Sequence, residues 1–169
     1  MAYGSTMAKI VAKRPAECSK TELKEFEDLV STGGEVALRG LHQLVSAAAW
    51  LVFLFEEKKR AGVAGLKRPR AAYKRKVFSR ADSPEDPDDF LLEVGWIVVE
   101  KSFRGRKYSR LLLGEVLRLA GDNHVYATTR EANEPMRRTN EYCGMRPSDS
   151  AYSSEEHDQK LILYTKRDA

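Results

Sequence analysis

Cysteine and histidine are scarce in this sequence of 169 residues. The two cysteines, Cys18 and Cys143, lie far apart and lack the close spacing of a metal-ligand pair. A reduced cytoplasmic protein therefore fits the sequence better than a disulfide scaffold does. The three histidines are scattered along the chain, so the sequence predicts no metal site.

Long apolar runs are also missing. The longest, residues 44–55, contains a serine and three alanines and is shorter than the roughly 20 residues that a transmembrane helix needs. The first 20 residues include charges where a signal peptide would have an apolar stretch, so we expect no leader and no membrane association. The net charge of +4 favours anionic ligands without requiring nucleic acid.

The composition that is present suits one folded domain, since 42% of the residues are hydrophobic and 32% are charged. We expect a single domain over residues 1–169, with residues 1–15 as a flexible N-terminal segment. Apolar periodicity predicts helices over residues 21–30, 35–48, 107–119 and 133–142. Strands are predicted over residues 50–55, 62–66, 90–99, 124–128 and 160–166. The order indicates an α/β protein of the α+β kind, a mixed sheet with helices packed on it.

One join between a strand and a helix carries chemical information. The segment GWIVVEKSFRGRKYSRLLLGEVLRLA runs from a buried strand through a short basic turn into an amphipathic helix. A helix that begins there directs backbone amides and its positive dipole end at one place, which favours a phosphate or pyrophosphate. Arg104, Arg106, Lys107 and Arg110 would add to the attraction. A turn whose basic residues only contact solvent is the alternative at this point.

This segment resembles the coenzyme-A signature of the GCN5-related N-acetyltransferases (the GNAT family), R/Q-x-x-G-x-G/A. Arg104 takes the first position, Lys107 the first glycine position and Ser109 the second. Lysine and serine depart from the pattern, and lysine reduces the backbone freedom that glycine provides.

A second stretch resembles the family's N-x-x-A-x-x-x-Y-x-x-x-G-F tail. Asn133 falls on the asparagine, Met136 on the small apolar position, and Gly144 and Met145 on the closing pair. Asn140 takes the position of the tyrosine that often serves the family as general acid.

The resemblance implies a twisted, mostly antiparallel sheet with a splayed central strand and about four flanking helices. It implies acetyl-CoA as co-substrate and direct attack by an amine within one ternary complex. Backbone groups of the splayed strand would hold the pantetheine arm, and the loop at residues 104–109 the pyrophosphate. The implied cofactor-binding residues are Ile97, Val98, Val99, Arg104, Gly105, Arg106, Lys107, Tyr108, Ser109 and Asn133.

The catalytic candidates are less well defined by the sequence. Strand alternation predicts that Glu93 shares a face with Gly95, Ile97 and Val99, while Glu100 lies on the opposite face. Family enzymes often carry a glutamate near the start of this strand, which favours Glu93 as general base. A salt bridge to the basic 60–80 segment is the structural alternative for Glu93.

Tyr142 is the tyrosine nearest to the expected general acid. It lies two residues beyond Asn140, and side chains two apart do not share a helix face. Tyr142 is the catalytic candidate for this role if the helix is distorted or if its side chain reaches the site in another way; otherwise no tyrosine acts.

The acceptor is expected to be a small-molecule or protein amine, with a homodimer left open. Aromatic residues of the first strands and Tyr73 are candidates for its pocket, although core packing is the commoner role. A second reading is a catalytically degenerate GNAT-fold module that binds coenzyme A or serves regulation. A third is nucleic-acid binding by the basic residues 58–80, which only Tyr73 and Phe78 support as aromatic platforms.

Overall fold

The structure is a computed structural model that describes residues 7–33, 39–155 and 158–167. Its elements follow in chain order: β1 (Ala8–Lys13), α1 (Lys20–Thr32), α2 (Leu41–Ser46), β2 (Trp50–Glu56), β3 (Lys59–Lys67), α3 (Ala71–Arg80), β4 (Phe90–Val99), α4 (Tyr108–Ala120), β5 (His124–Arg130), α5 (Glu134–Tyr142), β6 (Arg146–Pro147), β7 (Tyr152–Ser153) and β8 (Lys160–Lys166). Five α-helices are therefore present in these ranges, where the sequence indicated about four. No helix in these ranges is long and apolar enough to cross a membrane.

Eight strands form one sheet in the order β1-β2-β3-β4-β5-β8-β6, with β7 also paired to β8. Every neighbouring pair is antiparallel except β4 and β5, which run parallel. The predicted mixed, mostly antiparallel sheet flanked by helices is confirmed.

The helices cover the sheet in three places. On one face α4 buries Leu112, Leu113 and Val116 against β2, β3 and β4. On the other face α1 and α2 pack on the first strands through residues that include Phe26 and Val45. The third helix, α3, lies against the start of β4 and against β5 and β8. These apolar contacts hold the central strands in place from both sides.

The N-terminal segment differs from the prediction. Ala8–Lys13 forms the edge strand β1, which pairs with β2 along its whole length from Ala8↔Glu56 to Lys13↔Leu51. The expectation of a flexible segment over residues 1–15 is wrong for this part, because a strand this short gains its stability from its neighbour. Residues 1–6 lie outside the described residues.

The second helix is shorter than predicted, and one further helix is present. Gly40, with a φ of 79°, precedes Leu41–Ser46, while residues 34–38 of the predicted helix lie outside the described residues. Part of the basic 60–80 segment forms α3, whose Lys74 side chain is buried and donates to the Phe90 carbonyl at 2.9 Å. That hydrogen bond gives one of the basic residues a structural role.

Candidate functional site

The central strands β4 and β5 pair only at their beginnings. The paired positions are Phe90↔His124, Leu92↔Val125 and Glu93↔Tyr126. Both strands are described completely, and beyond Glu93 their ladder contains no further pair. Residues 94–99 of β4 therefore separate from β5, which leaves a gap inside the sheet where a ligand can meet unpaired backbone groups.

A β-bulge lies on β4 at this gap. Trp96 has a φ of 54°, which is unusual for a non-glycine residue, and the β3–β4 register shifts between Val63 and Gly65. The Trp96 ring lies directly on Gly65, where a Cβ atom would come within 2.4 Å of the ring. A glycine at position 65 therefore permits the bulge.

The bulge changes which side chains share a face of β4. Ile97 and Val99 pack on the core beneath α4, whereas Trp96 and Val98 pack on the core beneath α1. Glu93 lies on the α3 side, where it contacts Tyr126. The predicted common face for Glu93, Ile97 and Val99 is wrong, because the extra residue of a bulge reverses the alternation that follows it.

The loop before α4 has the backbone geometry of a tight turn. Gly105 and Lys107 have φ values of 82° and 61°, and Lys107 is the residue that precedes the helix. The left-handed conformation explains why the family pattern has glycine at the position of Lys107. The first turn of α4 directs its backbone amides towards this loop, as an anion site requires.

Two predicted cofactor residues of this loop are attached to the sheet. Arg106 forms an ion pair with the buried Glu56 carboxylate at the end of β2, and the buried Tyr108 hydroxyl donates to the same carboxylate. The hydrogen bonds from Tyr108 and then from Arg106 lower the pKa of Glu56. The same hydrogen bond to Glu56, together with burial, raises the pKa of Tyr108. These contacts fix the beginning of α4 on the sheet.

The other basic side chains of the loop are exposed. Arg104 donates from Nε to the Val99 carbonyl at 3.3 Å, and Lys107 is exposed at the start of α4. The structure thus brings Arg104 to the end of β4, at Val99, and places Lys107 directly before α4. Binding of coenzyme A by these residues stays a prediction.

Ser109 and Asn133, also predicted to bind the cofactor, make contacts within the fold. Ser109 Oγ lies 3.1 Å from Thr139 Oγ1, which joins α4 to α5. Asn133 Oδ1 accepts a hydrogen bond of 3.2 Å from the Met136 amide and caps α5. Ser109 therefore connects the two helices, and Asn133 stabilises the beginning of α5.

Glu93 is buried within a polar cluster. Its side chain is paired with Lys67 at 3.3 Å and accepts a hydrogen bond of 3.2 Å from the Tyr126 hydroxyl. Burial, with a further contribution from the Glu93 carboxylate, raises the pKa of Tyr126 far above its ordinary value, so this phenol remains a donor. The salt bridge that the sequence left as an alternative is present, and it leaves Glu93 at the end of the β4–β5 pairing.

Glu100 lies elsewhere. Its carboxylate accepts from the Ser102 amide at 2.9 Å and from the Ser102 hydroxyl, and these bonds lower the pKa of Glu100. Glu100 therefore caps the turn that follows β4.

The two α5 residues considered for a general acid occupy different environments. Asn140 is buried and donates from Nδ2 to Thr129 Oγ1 on β5 at 2.9 Å. Tyr142 is 67% exposed, and the Arg110 guanidinium stacks on its ring at 4.0 Å. The helix thus directs position 140 to the sheet and position 142 to solvent, as their spacing requires. The structure does not bring Tyr142 to Glu93.

A cleft of about 750 Å³ opens at the gap and contains Glu93 in its wall. It is lined by Val94 and Gly95 of β4, by Thr128 of β5, and by residues of α3 and the segments before it. We call it the basic cleft, because seven basic and two acidic side chains among the described residues line it.

The sequence patterns did not point to Tyr126 or Tyr152, and they included Lys67 only as part of the basic 60–80 segment. Lys67 and Tyr126 contact Glu93, and Tyr152 of β7 lines the basic cleft with a buried hydroxyl. Tyr73, which the sequence suggested for an acceptor pocket, does line the cleft, while Phe53 packs on Phe26 in the core. Only pairing across the sheet brings Tyr126 and Tyr152 together, and local sequence patterns contain no such information.

In the described parts of the chain, no group of three or more histidine, cysteine, aspartate or glutamate side chains could hold a metal ion.

Comparison with known proteins gives an independent result. The model of the acetyltransferase (GNAT) family matches residues 16–145. A search of curated proteins finds no match for the chain. A structure from Desulfovibrio desulfuricans, described as of the GNAT family, superposes with a TM-score of 0.67 at 18% identity and covers 96% of this chain and 100% of that one.

Two further structures show the same fold. A GNAT-family acetyltransferase from Bacillus cereus has a TM-score of 0.64 at 14% identity, covering 96% of this chain and 99% of its own. Arabidopsis thaliana NAA60, solved with a bisubstrate analogue, has a TM-score of 0.66 at 13% identity, covering 94% and 97%. Since the family model spans well over half of the residues, and the sheet has the expected gap, this chain belongs to the GNAT acetyltransferase family.

Proposed function

We propose that this protein transfers an acetyl group from acetyl-CoA to a primary amine by direct attack within a ternary complex. The observation that carries the proposal is the position of Glu93, a buried carboxylate in the wall of a cleft that opens at the β4–β5 gap. A base beside the gap and a loop suited to a pyrophosphate are the two parts that such a transfer needs.

The donor would bind along the gap and the α4 loop. Backbone groups of residues 97–99 would meet the pantetheine arm, and Arg104, Lys107 and the amides of the first turn of α4 would meet the pyrophosphate. The positive φ of Gly105 and Lys107 supports this assignment, because it curves the backbone around the start of the helix. Lys107 would add a charge where the family pattern has none.

The acceptor would enter from the basic cleft. Glu93 accepts a proton from the ammonium form of the acceptor, directly or through one water. The free nitrogen then attacks the thioester carbonyl carbon, the carbon–sulfur bond breaks, and the nitrogen loses its second proton to solvent. Lys67 and Tyr126 orient the Glu93 carboxylate through their contacts with its two oxygens. Asn140 has no proton of suitable acidity for the departing thiolate, so in this proposal the sulfur leaves as thiolate and is protonated by solvent.

A catalytically degenerate module that binds coenzyme A is the second candidate. Two observations favour it: Asn140 replaces the tyrosine of the family pattern, and Lys107 occupies a left-handed position where that pattern has glycine. Both candidates require binding of coenzyme A, and only the first requires turnover.

Thermal unfolding with acetyl-CoA and with desulfo-CoA tests the binding that both candidates share. We expect each to raise the melting temperature, by an amount that increases with ligand concentration. Absence of any shift would contradict both candidates. Release of coenzyme A in the presence of amines then separates them: amine-dependent release supports the transferase, and binding without release supports the module.

A further inference from the structure

The charges of the basic cleft are unevenly balanced. Lys67 is paired with Glu93, while Lys76 and Arg80 share the single carboxylate of Glu155. Arg68 and Arg70, which follow Lys67 directly along the chain, are exposed and have no carboxylate partner among the described residues. The described wall of the cleft therefore carries an excess of positive charge beside the candidate base.

The excess charge affects which amines enter. An amine reaches the site as an ammonium ion, and positive walls within a Debye length repel it, most of all when it carries several charges. A negative group on the same molecule reverses this effect, because guanidinium groups bind carboxylate and phosphonate oxygens through paired hydrogen bonds.

The cleft also has an unused polar group. The hydroxyl of Tyr152 is buried, lines the cleft, and has no hydrogen-bond partner among the described residues. Buried hydroxyls in folded proteins are nearly always satisfied, so an unpaired one in a cleft indicates a ligand or water as its partner. Tyr73 and Trp96 add apolar surface for the body of a small molecule.

We propose that the acceptor is a small primary amine that also carries an oxyanion group, and that Arg68 and Arg70 bind this group while the amine reaches Glu93. The proposal rests on the transferase function above. The size of the cleft, about 750 Å³, lies within the range of small-molecule sites and favours a metabolite over a protein chain.

Matched pairs of amines test the proposal by steady-state kinetics with acetyl-CoA. The pairs are phenylalanine with phenethylamine, glycine with methylamine, and aminomethylphosphonate with methylamine, and spermidine represents polycations. We expect kcat/KM to be about 10-fold or more higher for the anionic member of at least one pair, since a hydrogen bond to a charged group contributes that much. Comparison of the carboxylates with the phosphonate identifies the oxyanion.

The double variant Arg68→Gln/Arg70→Gln should remove this preference, because kcat/KM falls for the amines that carry an oxyanion and rises for those that carry only an ammonium group. The shift in melting temperature with acetyl-CoA should be retained. Arg75→Gln is the matched control, because Arg75 lies on α3, pairs with Asp88 at 3.5 Å and does not line the cleft. The control should retain the preference of the parent protein.

Several outcomes would overturn the proposal. An equal or higher kcat/KM for spermidine or for the amines without an oxyanion would overturn the proposal and leave the transferase function intact. A preference for the anionic amines that persists in the double variant would also overturn it. Acetylation of an acidic peptide but of no small amine would assign a protein acceptor instead. If no amine turns over, calorimetry of phenylalanine, glycine and aminomethylphosphonate with the desulfo-CoA complex decides: binding that needs Arg68 and Arg70 supports the oxyanion site, and no binding overturns it.

Discussion

The carboxylate of Glu93 combines a structural contact with a position at the candidate site. It neutralises Lys67, which is a structural role, and it lies at the gap, which is a position for proton removal. Glu93→Gln keeps the shape of the side chain but removes its charge and basicity, and its single oxygen can accept from only one of Lys67 and Tyr126. We expect kcat/KM for the amine to fall by about 100-fold or more, as loss of a general base does, with the shift in melting temperature on acetyl-CoA retained.

Glu100→Gln is the matched control for this change, because it alters a glutamate of the same region that caps a turn outside the cleft. Glu100→Gln should leave kcat/KM for the amine close to the value of the parent protein. Full activity of Glu93→Gln across the pH range would show that Glu93 only balances Lys67.

Lys107 has a left-handed backbone conformation, which is energetically unfavourable for a residue with a side chain. A non-glycine residue in the left-handed region loses about 1 kcal/mol relative to glycine. Lys107→Gly should therefore raise the melting temperature, by about 2–4 °C if that whole cost is recovered. If the lysine binds a phosphate, Lys107→Gly should also bind acetyl-CoA more weakly than the parent protein does. Lys107→Ala should show the same weaker binding of acetyl-CoA but no rise in melting temperature. A Lys107→Gly protein that melts below the parent would refute the strain argument.

The bulge on β4 depends on its neighbour β3. Because the Trp96 ring lies where a Gly65 side chain would be, Gly65→Ala forces the ring or the strand to move. We expect a loss of about 1–3 kcal/mol of unfolding free energy, typical of overpacking in a core, and a loss of activity as the gap changes shape. Urea denaturation measures the first effect and an acetyl-transfer assay the second.

Gly114→Ala is the corresponding control on α4. Apart from its chain neighbours and the adjacent backbone of α4, no atom of the described residues lies within 4 Å of a Cβ placed there, so alanine should stabilise the helix by about 0.5–1 kcal/mol. Equal effects of the two substitutions would contradict the packing argument at Gly65.

Local patterns in the sequence predicted most helices and strands and failed where a neighbour decides the outcome. The amphipathic period of α4 and the apolar run of β4 were sufficient to place both elements. The strand β1 was not predictable, because its stability comes from pairing with β2. The reversal of faces after Trp96 was not predictable either, since a bulge requires space on β3 that the sequence of β4 does not describe.

The candidate site likewise contains one part that the sequence predicted and one part that it could not predict. The loop from Arg104 to Ser109 is continuous in sequence, so its pattern was recognisable. The environment of Glu93 combines Lys67 of β3 and Tyr126 of β5, residues that only the strand order of the sheet brings together. Tyr152 follows a loop after β6, and no local pattern connects it with β4.

The attachment of the α4 loop to the sheet through Glu56 makes the stability of the protein depend on pH. The pKa of Glu56 is lowered in the folded state, so the stabilising contribution is complete above its unfolded value of about 4.3 and is lost as the pH falls through the lower, folded value. Glu56→Gln should therefore melt below the parent at neutral pH, and the difference should shrink in acid.

Melting curves over a pH series measure this effect. Glu115→Gln is the control, since it removes a carboxylate paired with Arg118 within α4, where a surface ion pair contributes little. A difference between Glu56→Gln and the parent that stays constant into acid would contradict the assignment.

Trp96 also gives the molecule an optical reporter. The sequence contains two tryptophans, and Trp50 lies on β2 beneath the Arg14 guanidinium, outside the lining of the basic cleft. Trp96 lines the cleft and has the Lys67 ammonium 5.0 Å from the centre of its ring. An occupant that attracts Lys67 changes the electric field at this indole and with it the wavelength of its emission. In a Trp50→Phe protein, fluorescence would therefore follow entry of the acceptor in real time, without a dye and without turnover.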